Sequence, residues 1–469
     1  MSQVVNYVVD GTIGVISVDN PPVNALSQPV RQGLLDAISA AQTDTSEAVV
    51  IICEGRTFIA GADIKEFGKP AVEPMLDILL NTIEASTKPV VAAIHGTALG
   101  GGLETALSAH YRCAVASAKV GLPEVKLGLL PGAGGTQRTP RLIGVQAALD
   151  LITSGEPIGA PRALELGLID KIVDGDLSES AIAWARDLLK EGAGPRKSSE
   201  QPMPAFDAGV FDEYRAVLAK RARGQVAPQN IVTCVEAATK HPFEEGLKVE
   251  RALFWECMQS PQSAAMRHLF FAERQAAKID DLAKNTPLRT IDSVGIIGGG
   301  TMGGGIAMSF ANAGIPVTLI EINDDALARG LSIVEKNYAA SVKRGKLTED
   351  KATKCGALIT GSTDYASLAE ADLVIEAVFE DPELKKTIFA RLDATCKPGA
   401  ILATNTSYQD VNQIAAATKR PEDVIGLHFF SPANIMKLLE VVRAEKTADD
   451  VLATCMALAR RIRKVPVMS

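Results

Sequence analysis

Residues 293–323 read SVGIIGGGTMGGGIAMSFANAGIPVTLIEIN, and this stretch contains two kinds of local pattern. Its first five residues and the run VTLIEIN (317–323) are rich in β-branched residues, as buried strands are, and a glycine turn opens a helix between them. A strand, a turn, a helix and a second strand in this order predict parallel strands joined by a helical crossover. We therefore predict an α/β fold for the C-terminal part of the chain.

The glycines of this turn have the GxGxxG spacing of a dinucleotide site, and they lie where such a site requires them, between a strand and a helix. The predicted cofactor-binding residues of the turn are Gly298, Gly300, Thr301, Met302 and Gly303. The pyrophosphate would lie on the helix N-terminus. Glu321 ends the second strand, 23 residues after Gly298. Its carboxylate would accept hydrogen bonds from ribose hydroxyls and repel a 2′-phosphate, so we predict NAD rather than NADP.

A second arrangement of glycines and carboxylates occupies residues 101–125, GGLETALSAHYRCAVASAKVGLPEV. A glycine run at 100–102 joins the apolar strand PVVAAIHG (89–96) to a helical segment, so that backbone N–H groups can approach a ligand at a helix N-terminus. Glu104 lies just inside this helix, and Glu124 precedes the glycine-rich turn LGLLPGAGGTQR (127–138). Two carboxylates beside a polarised carbonyl group suit the transfer of a proton and a water molecule.

Length and composition set the broad class of the protein. A chain of 469 residues predicts roughly three domains at about 150 residues each. The net charge of −8 provides no basic surface for nucleic acid. No apolar run reaches about 18 residues, so no membrane span is expected. The seven cysteines form no CxxC pair, so we expect neither a disulfide framework nor a metal site.

The chain divides into three parts by its patterns. Strands alternate with helical stretches up to about residue 175, residues 190–206 have a linker composition, and residues 207–290 read as amphipathic helices. We predict domains at 1–180 and 291–469, with a helical linker at 181–290.

Four blocks of the N-terminal part resemble the enoyl-CoA hydratase/isomerase (crotonase) family, over about residues 1–175. The blocks are NPPVNALS (20–27), FIAGADIKEF (58–67), GTALGGGLETAL (96–107) and GLPEVKLGLLPGAGGTQR (121–138). The resemblance implies the ββα spiral of a crotonase fold. It also implies that Glu104 and Glu124 share the catalytic water and that the N–H groups of Ala62 and Gly101 form an oxyanion hole. Coenzyme A would lie against Ala60, Ala62 and Ile64, and Gly132 would lie near the water.

The same resemblance implies a reaction, the syn addition of water to a 2-enoyl thioester. Both glutamates that a hydratase needs are present. Isomerisation of a Δ3-enoyl to a Δ2-enoyl thioester is expected as a secondary activity, with Glu124 as the proton shuttle.

Residues 291–469 resemble the NAD-binding domain of 3-hydroxyacyl-CoA dehydrogenase. The blocks are DLVIEAVFEDPELKK (372–386), ATNTS (403–407) and GLHFFSPANIMKLLEVV (426–442). Oxidation of an alcohol requires a base for the hydroxyl proton, and a neutral imidazole steadied by a carboxylate is suited to this task. The resemblance implies that His428 is this base, that Glu440 is its partner and that Ser407 bonds the substrate 3-oxygen. It places Glu380 and Lys385 at the cofactor.

This C-terminal part departs from the family in one position, because Tyr408 stands where the family usually has Asn or Ser after the serine. The segments HPFEEGLKVERALFWE (241–256) and RHLFFAERQAAK (267–278) resemble the linking region of the multifunctional β-oxidation enzymes. The whole chain is therefore predicted to convert trans-2-enoyl-CoA to L-3-hydroxyacyl-CoA and then to 3-oxoacyl-CoA. Its predicted partners are acyl-CoA thioesters, and association with a thiolase is left open.

The family continues beyond the position of RRIRKVPVMS (460–469) into a helical domain that supplies a further catalytic Asn. We expect the polypeptide 1–469 to bind NAD and to transfer hydride weakly or not at all. Two alternatives stay open: a CoA- or NAD-binding sensor or scaffold, and an enoyl-CoA isomerase with a remnant dehydrogenase half. We expect a cytoplasmic location, with the peroxisome left open because any C-terminal signal would lie beyond residue 469.

Overall fold

The computed structural model describes residues 4–67, 69–70, 72–283 and 285–469. The chain forms two compact units, Met1–Leu269 and Phe270–Ser469.

The described residues of the first unit form nine strands: β1 (Val5–Asp10), β2 (Ile13–Val18), β3 (Ala48–Cys53), β4 (Val90–Ile94), β5 (Thr97–Leu99), β6 (Tyr111–Val115), β7 (Lys119–Gly121), β8 (Ile158–Gly159) and β9 (Lys171–Val173). They form a six-stranded sheet in the order β1-β2-β3-β4-β6-β9 and a three-stranded sheet in the order β5-β7-β8. The hairpin β1–β2 is antiparallel, and the other pairs of the larger sheet are parallel. Strands β3 and β4 are buried along their whole length, as their continuous apolar runs predict.

The helices that begin in this unit are α1 (Gln28–Ala41), α2 (Leu76–Glu84), α3 (Gly101–Ser108), α4 (Gly135–Ile143), α5 (Val145–Ser154), α6 (Ala160–Leu166), α7 (Leu177–Lys190), α8 (Val210–Arg221), α9 (Ala227–Lys240), α10 (Phe243–Gln259) and α11 (Pro261–Ala276). The amphipathic helices predicted within 207–290 are therefore present. Apolar residues of α8, α9 and α10 join the main core of this unit, among them Phe211, Ile231 and Cys257. The predicted boundaries at residues 180 and 290 stay predictions.

The second unit is an eight-stranded sheet in the order β12-β11-β10-β13-β14-β15-β16-β17. Its strands are β10 (Val294–Ile297), β11 (Val317–Ile320), β12 (Ile359–Ser362), β13 (Leu373–Glu376), β14 (Ile401–Thr404), β15 (Val424–Phe429), β16 (Leu438–Val442) and β17 (Val465–Met468). Its helices are α12 (Thr301–Asn312), α13 (Asp324–Lys343), α14 (Glu349–Gly356), α15 (Pro382–Thr395), α16 (Val411–Ala415) and α17 (Asp449–Arg461).

Strands β10 to β15 are parallel, and the chain order reverses at β10, which pairs with β11 on one side and β13 on the other. Ligands of open α/β sheets bind at such a switch point, beyond the carboxyl ends of the strands. The α/β class predicted from the sequence is confirmed. Over the described ranges, no helix is both long and apolar enough to cross a membrane.

Candidate active site and dinucleotide site

A cavity of about 610 Å³ opens in the first unit beside the N-terminus of α3. The structure brings all of the N-terminal residues predicted from the sequence to its wall. These are Ala60, Ala62, Ile64, Gly101, Glu104, Glu124 and Gly132. Four segments that are far apart in the sequence therefore meet at one site.

The glycine run before α3 adopts a conformation that only glycine tolerates. Gly100 has φ +52° and ψ −127°, and a Cβ built on it would lie 2.9 Å from Glu124 Oε1. A Cβ built on Gly102 would lie 2.0 Å from the carbonyl oxygen of Ile59. The glycines thus let the start of α3 approach both Glu124 and the 58–67 loop.

Glu104 is 2% exposed and lies in the first turn of α3. Its Oε1 accepts hydrogen bonds from the N–H groups of Ala133 and Gly135, at 2.8 and 2.9 Å. Burial raises the pKa of Glu104, while these two N–H groups and the charge of Arg138 act in the opposite direction by favouring the carboxylate. Glu104 is therefore a buried carboxyl group with donors that stabilise its charged form.

Glu124 begins the short 3-10 turn Pro123–Leu127. Within the described ranges its Oε2 is buried and has no hydrogen-bond partner. Burial and the neighbouring charge of Glu104 raise the pKa of Glu124 well above its usual value. This environment favours the protonated form of Glu124, whereas the hydrogen bonds to Glu104 favour its carboxylate, so the two groups of one cavity differ in their tendency to hold a proton.

Two backbone N–H groups border the same cavity. Gly101 is the first residue of α3, so its N–H has no acceptor within the helix. A Cβ built on Gly101 would lie 3.5 Å from the nitrogen of Ala62. Leu26 holds the second segment through a hydrogen bond from its N–H to the carbonyl oxygen of Gly61. Two backbone donors this close together, beside two carboxyl groups, could polarise a carbonyl oxygen.

A third buried carboxyl group near this cavity, that of Glu250 in α10, was not predicted from the sequence. The sequence could have indicated it, because Glu250 lies on the face of α10 that is buried, together with Gly246 and Cys257. An acidic residue on the apolar face of an amphipathic helix needs partners, since an unpaired buried charge is costly.

The glycine turn of the second unit joins β10 to α12. Gly298 has φ +96°, and a Cβ built on Gly303 would lie 1.7 Å from the carbonyl oxygen of Gly298. A Cβ built on Gly300 would meet no atom within 4 Å. The turn therefore packs tightly against its own helix at Gly303 but leaves space for a ligand at Gly300. The N–H groups of Thr301 and Met302 begin α12 beside this space. An open helix N-terminus fits the pyrophosphate of a dinucleotide.

Glu321 follows directly after β11, which ends at Ile320, one residue before the strand end that the sequence predicts. Its Oε1 accepts a hydrogen bond from the N–H of Gly299 at 2.6 Å, and its Oε2 accepts one from the N–H of Ile322 at 3.1 Å. The carboxylate is thus held against the glycine turn, where a ribose would lie.

His428 and Glu440 are direct partners across the antiparallel pair β15–β16. His428 Nδ1 lies 2.7 Å from Glu440 Oε2. Asn405, which was not predicted, accepts a hydrogen bond from the N–H of Phe429 and so anchors the strand next to the imidazole. This pairing leaves Nε2 of His428 as the atom that can exchange a proton with a substrate.

Glu380 accepts hydrogen bonds from the N–H of Ser407 and the hydroxyl of Thr406, at 2.9 and 2.8 Å. Burial opposes ionisation, but these bonds and the charge of Lys385 hold the pKa of Glu380 below its usual range. Lys385 is 1% exposed, and its Nζ lies 2.7 Å from Glu376 and 3.6 Å from Glu380. The buried Lys385 ammonium therefore pairs with the carboxylates of Glu376 and Glu380. Its predicted place at the cofactor stays a prediction.

Comparisons with known proteins match both parts of the chain. Residues 9–231 match the family described as enoyl-CoA hydratase/isomerase, and residues 293–469 match the family described as 3-hydroxyacyl-CoA dehydrogenase, NAD binding domain. The chain is similar to the peroxisomal bifunctional enzyme of Cavia porcellus, with 44% identity over 97% of this chain and 64% of that protein.

Plant and bacterial relatives match over a similar extent. The peroxisomal fatty acid beta-oxidation multifunctional protein of Oryza sativa is 38% identical over 97% of this chain and 65% of its own length. The fatty acid oxidation complex subunit alpha of Shewanella amazonensis is 37% identical over 98% of this chain and 68% of its own length. The chain thus spans somewhat less than two thirds of the animal and plant relatives.

Proposed function

Because the chain belongs to the family of multifunctional fatty-acid oxidation proteins that join an enoyl-CoA hydratase/isomerase domain to a 3-hydroxyacyl-CoA dehydrogenase NAD-binding domain, we propose that it catalyses two consecutive steps of fatty-acid oxidation. The first step hydrates trans-2-enoyl-CoA to L-3-hydroxyacyl-CoA. The second step oxidises this product with NAD to 3-oxoacyl-CoA, and we expect the polypeptide 1–469 to perform it weakly. The N-terminal domain is crotonase-like, and the C-terminal domain is a Rossmann-type NAD-binding domain.

One observation carries the first step, namely that two buried carboxyl groups with different hydrogen-bond partners share one cavity. Glu104, whose charged form is stabilised by two N–H groups, is the proposed base that takes a proton from water. Glu124, whose Oε2 has no partner among the described residues, is the proposed acid that gives its proton to C2 as the water oxygen bonds to C3. The N–H groups of Ala62 and Gly101 would hold the thioester oxygen as negative charge develops there.

The same acid supports a secondary isomerase activity. Glu124 in its carboxylate form can remove a proton from C2 of a 3-enoyl thioester and return it at C4. The double bond then moves from C3–C4 to C2–C3, and the product is a 2-enoyl thioester. The adenine of coenzyme A is proposed to bind at Ala60, Ala62 and Ile64, and Gly132 is proposed to lie beside the water.

For the second step, the residues of the glycine turn would hold NAD, which supplies the hydride acceptor when it is bound. His428 would accept the proton of the substrate hydroxyl at Nε2, and Glu440 would stabilise the resulting imidazolium through Nδ1. Ser407 would bond the 3-oxygen. Glu380 and Lys385 are proposed to act at the cofactor, with Lys385 working through the Glu380 carboxylate.

The reaction is tested by incubating the chain with crotonyl-CoA in ¹⁸O-labelled water. The proposal expects an L-3-hydroxybutyryl thioester with one ¹⁸O in its hydroxyl group. A chain that only interconverts 3-enoyl and 2-enoyl thioesters would incorporate no label, and a CoA-binding scaffold would return the substrate unchanged.

The hydratase rate is expected to fall at alkaline pH. The pKa of Glu124 is raised by burial and by the charge of Glu104, so the carboxyl group keeps its proton to higher pH than an ordinary glutamate and loses it as the pH rises through that elevated pKa. Because the ionised form cannot donate, kcat should fall by about tenfold per pH unit above this value. A pH series of initial rates at saturating crotonyl-CoA measures this fall in kcat. A kcat that keeps rising into the alkaline range would contradict the acid role.

Glu321→Gln is expected to weaken the discrimination between NAD and NADP. The change keeps the shape and one acceptor oxygen but removes the charge that would repel a 2′-phosphate. We expect the ratio of the two dissociation constants to change by about tenfold or more in favour of NADP. Titration calorimetry with both cofactors measures the ratio, and an unchanged ratio would assign the preference to other residues.

We propose a cytoplasmic location, as the sequence predicts, although the animal and plant relatives are named peroxisomal. Cell fractionation decides between the two compartments. A thiolase that consumes the 3-oxoacyl product is the partner we propose, and co-purification from the source cells tests it.

A further inference from the structure

The turn at residues 133–136 lies between two carboxylates. Alternate N–H groups of the turn donate to Glu104 on one side and to Glu250 on the other. The donors to Glu250 are the N–H of Gly134 to Oε1 at 2.6 Å, the N–H of Thr136 to Oε2 at 3.0 Å, and the hydroxyl of Thr136 to Oε2 at 2.5 Å. Glu250 is 1% exposed, so these bonds offset part of the hydration that the carboxyl group loses on burial.

The N–H directions of this turn depend partly on contacts from outside it. Gly134 has φ +99°, and a Cβ built on Gly135 would lie 2.9 Å from Glu104 Oε1, so the close approach to Glu104 requires small residues here. Glycine backbone is conformationally free, and its orientation is therefore sensitive to such contacts. Arg138 supplies one contact through a bond from its Nη1 to the carbonyl oxygen of Ala133 at 3.1 Å. Glu104 and Glu250 supply further contacts by accepting hydrogen bonds from the N–H groups of the turn.

Several ionisable groups face Glu250 from the elements that pack around it. Glu104 on α3 and Glu124 on the 3-10 turn carry negative charge when ionised, Arg138 on α4 is positive, and Cys234 lies on α9. Burial and the charge of Glu104 raise the pKa of Glu250 to about 8, against the effect of its three hydrogen bonds. A charge on Glu250 in turn contributes to the raised pKa of Glu124.

We propose that Glu250 is a positioning residue for the hydratase reaction, which orients the 133–136 turn so that two of its N–H groups point at the base Glu104. The inference rests on the proposed function of Glu104 and Glu124. Glu250 acts through the turn rather than on the substrate. Its place on α10 means that a helix outside residues 1–180 helps to assemble the acid–base pair.

Two variants separate the acceptor oxygens of Glu250 from the length of its side chain. Glu250→Gln keeps the length but presents an NH₂ group to one of the backbone donors. Glu250→Asp keeps the carboxyl group but is one methylene shorter, so it cannot reach both N–H groups. Glu245→Gln is the matched control, because Glu245 lies on the same helix and its only side-chain partner among the described residues is Lys248 at the surface.

Both variants are expected to lower kcat for crotonyl-CoA by about 10- to 100-fold, as small misplacements of catalytic groups do. The KM should stay within about threefold, since Glu250 is not proposed to touch the substrate. In Glu250→Asp the acidic limb of the pH profile should move to higher pH, because misdirected N–H groups no longer favour ionised Glu104. Glu245→Gln should match the wild type in all three quantities.

Each outcome of these measurements either supports or overturns the positioning role of Glu250. Tryptophan fluorescence reports the folding of the first unit, because both tryptophans, Trp184 and Trp255, lie in it. Rates are expressed per folded molecule. Variants with wild-type kcat, or with lowered kcat and an unmoved acidic limb in Glu250→Asp, would overturn the positioning role. Failure of both variants to fold would also overturn it, because Glu250 would then serve the fold alone. An inactive wild type would instead overturn the proposed function itself.

Discussion

Glu124→Gln is expected to lower kcat for the hydration of crotonyl-CoA by about 10³-fold or more, and Glu104→Gln by a similar factor. Each glutamine keeps the size of the side chain and removes one proton-transfer group. In Glu124→Gln no acid remains to protonate C2. In Glu104→Gln the amide cannot take a proton from water, and its NH₂ group competes with the N–H donors of the turn. The KM should change much less, because neither carboxyl group is proposed to bind coenzyme A.

The control for these variants is Glu156→Gln. Glu156 is exposed and pairs at the surface with Lys126, at 2.8 Å, so the same chemical change away from the cavity should leave kcat within about twofold of the wild type, since exposed ion pairs contribute little. Far-UV circular dichroism and thermal unfolding would establish that all three variants are folded. Glutamine variants at 104 and 124 that are folded and as fast as the wild type would remove the acid–base assignment.

Gly300→Asp is expected to raise the dissociation constant of NAD by about 100-fold or more, because a carboxylate would occupy the place of the pyrophosphate and repel it. The fold should tolerate the change. A Cβ at Gly300 meets no atom within 4 Å, and Gly300 is the N-cap of α12 with φ −66°, a position and a conformation that suit aspartate. Loss of NAD binding with an unchanged or raised unfolding temperature would therefore locate the pyrophosphate at this turn.

Gly356→Asp provides the comparison in the same unit. A Cβ there also meets no atom within 4 Å, and the change in net charge is the same, but the residue ends α14 rather than beginning α12. Its NAD affinity should equal that of the wild type in titration calorimetry. If Gly300→Asp also bound NAD normally, the dinucleotide would have to lie elsewhere.

The sequence was most informative where a function depends on short contiguous motifs. The glycine turn at 298–303 combined a strand, a helix and a carboxylate at fixed spacing, and the structure has the same order of elements. The pairing of His428 with Glu440 could be proposed only through the family resemblance. Its geometry depends on the antiparallel register of β15 and β16, which twelve residues of sequence do not specify by themselves.

The residues that were not predicted act through tertiary contacts. Glu250 is 114 residues from Thr136, one of its donors, and no local pattern links the two. The buried Glu376 bonds Lys385 across a strand and a helix, and it satisfies Thr404 on the neighbouring strand. Such partners depend on how whole helices and strands pack together, so they can be identified only from the three-dimensional structure.

Glu104 and Glu124 are proposed to add water to a 2-enoyl thioester. The most direct test is the loss of enoyl absorbance when the wild-type chain is added to crotonyl-CoA. We expect catalytic turnover with a hydrated thioester as the product. A correctly folded chain that leaves the absorbance unchanged at saturating substrate would contradict it.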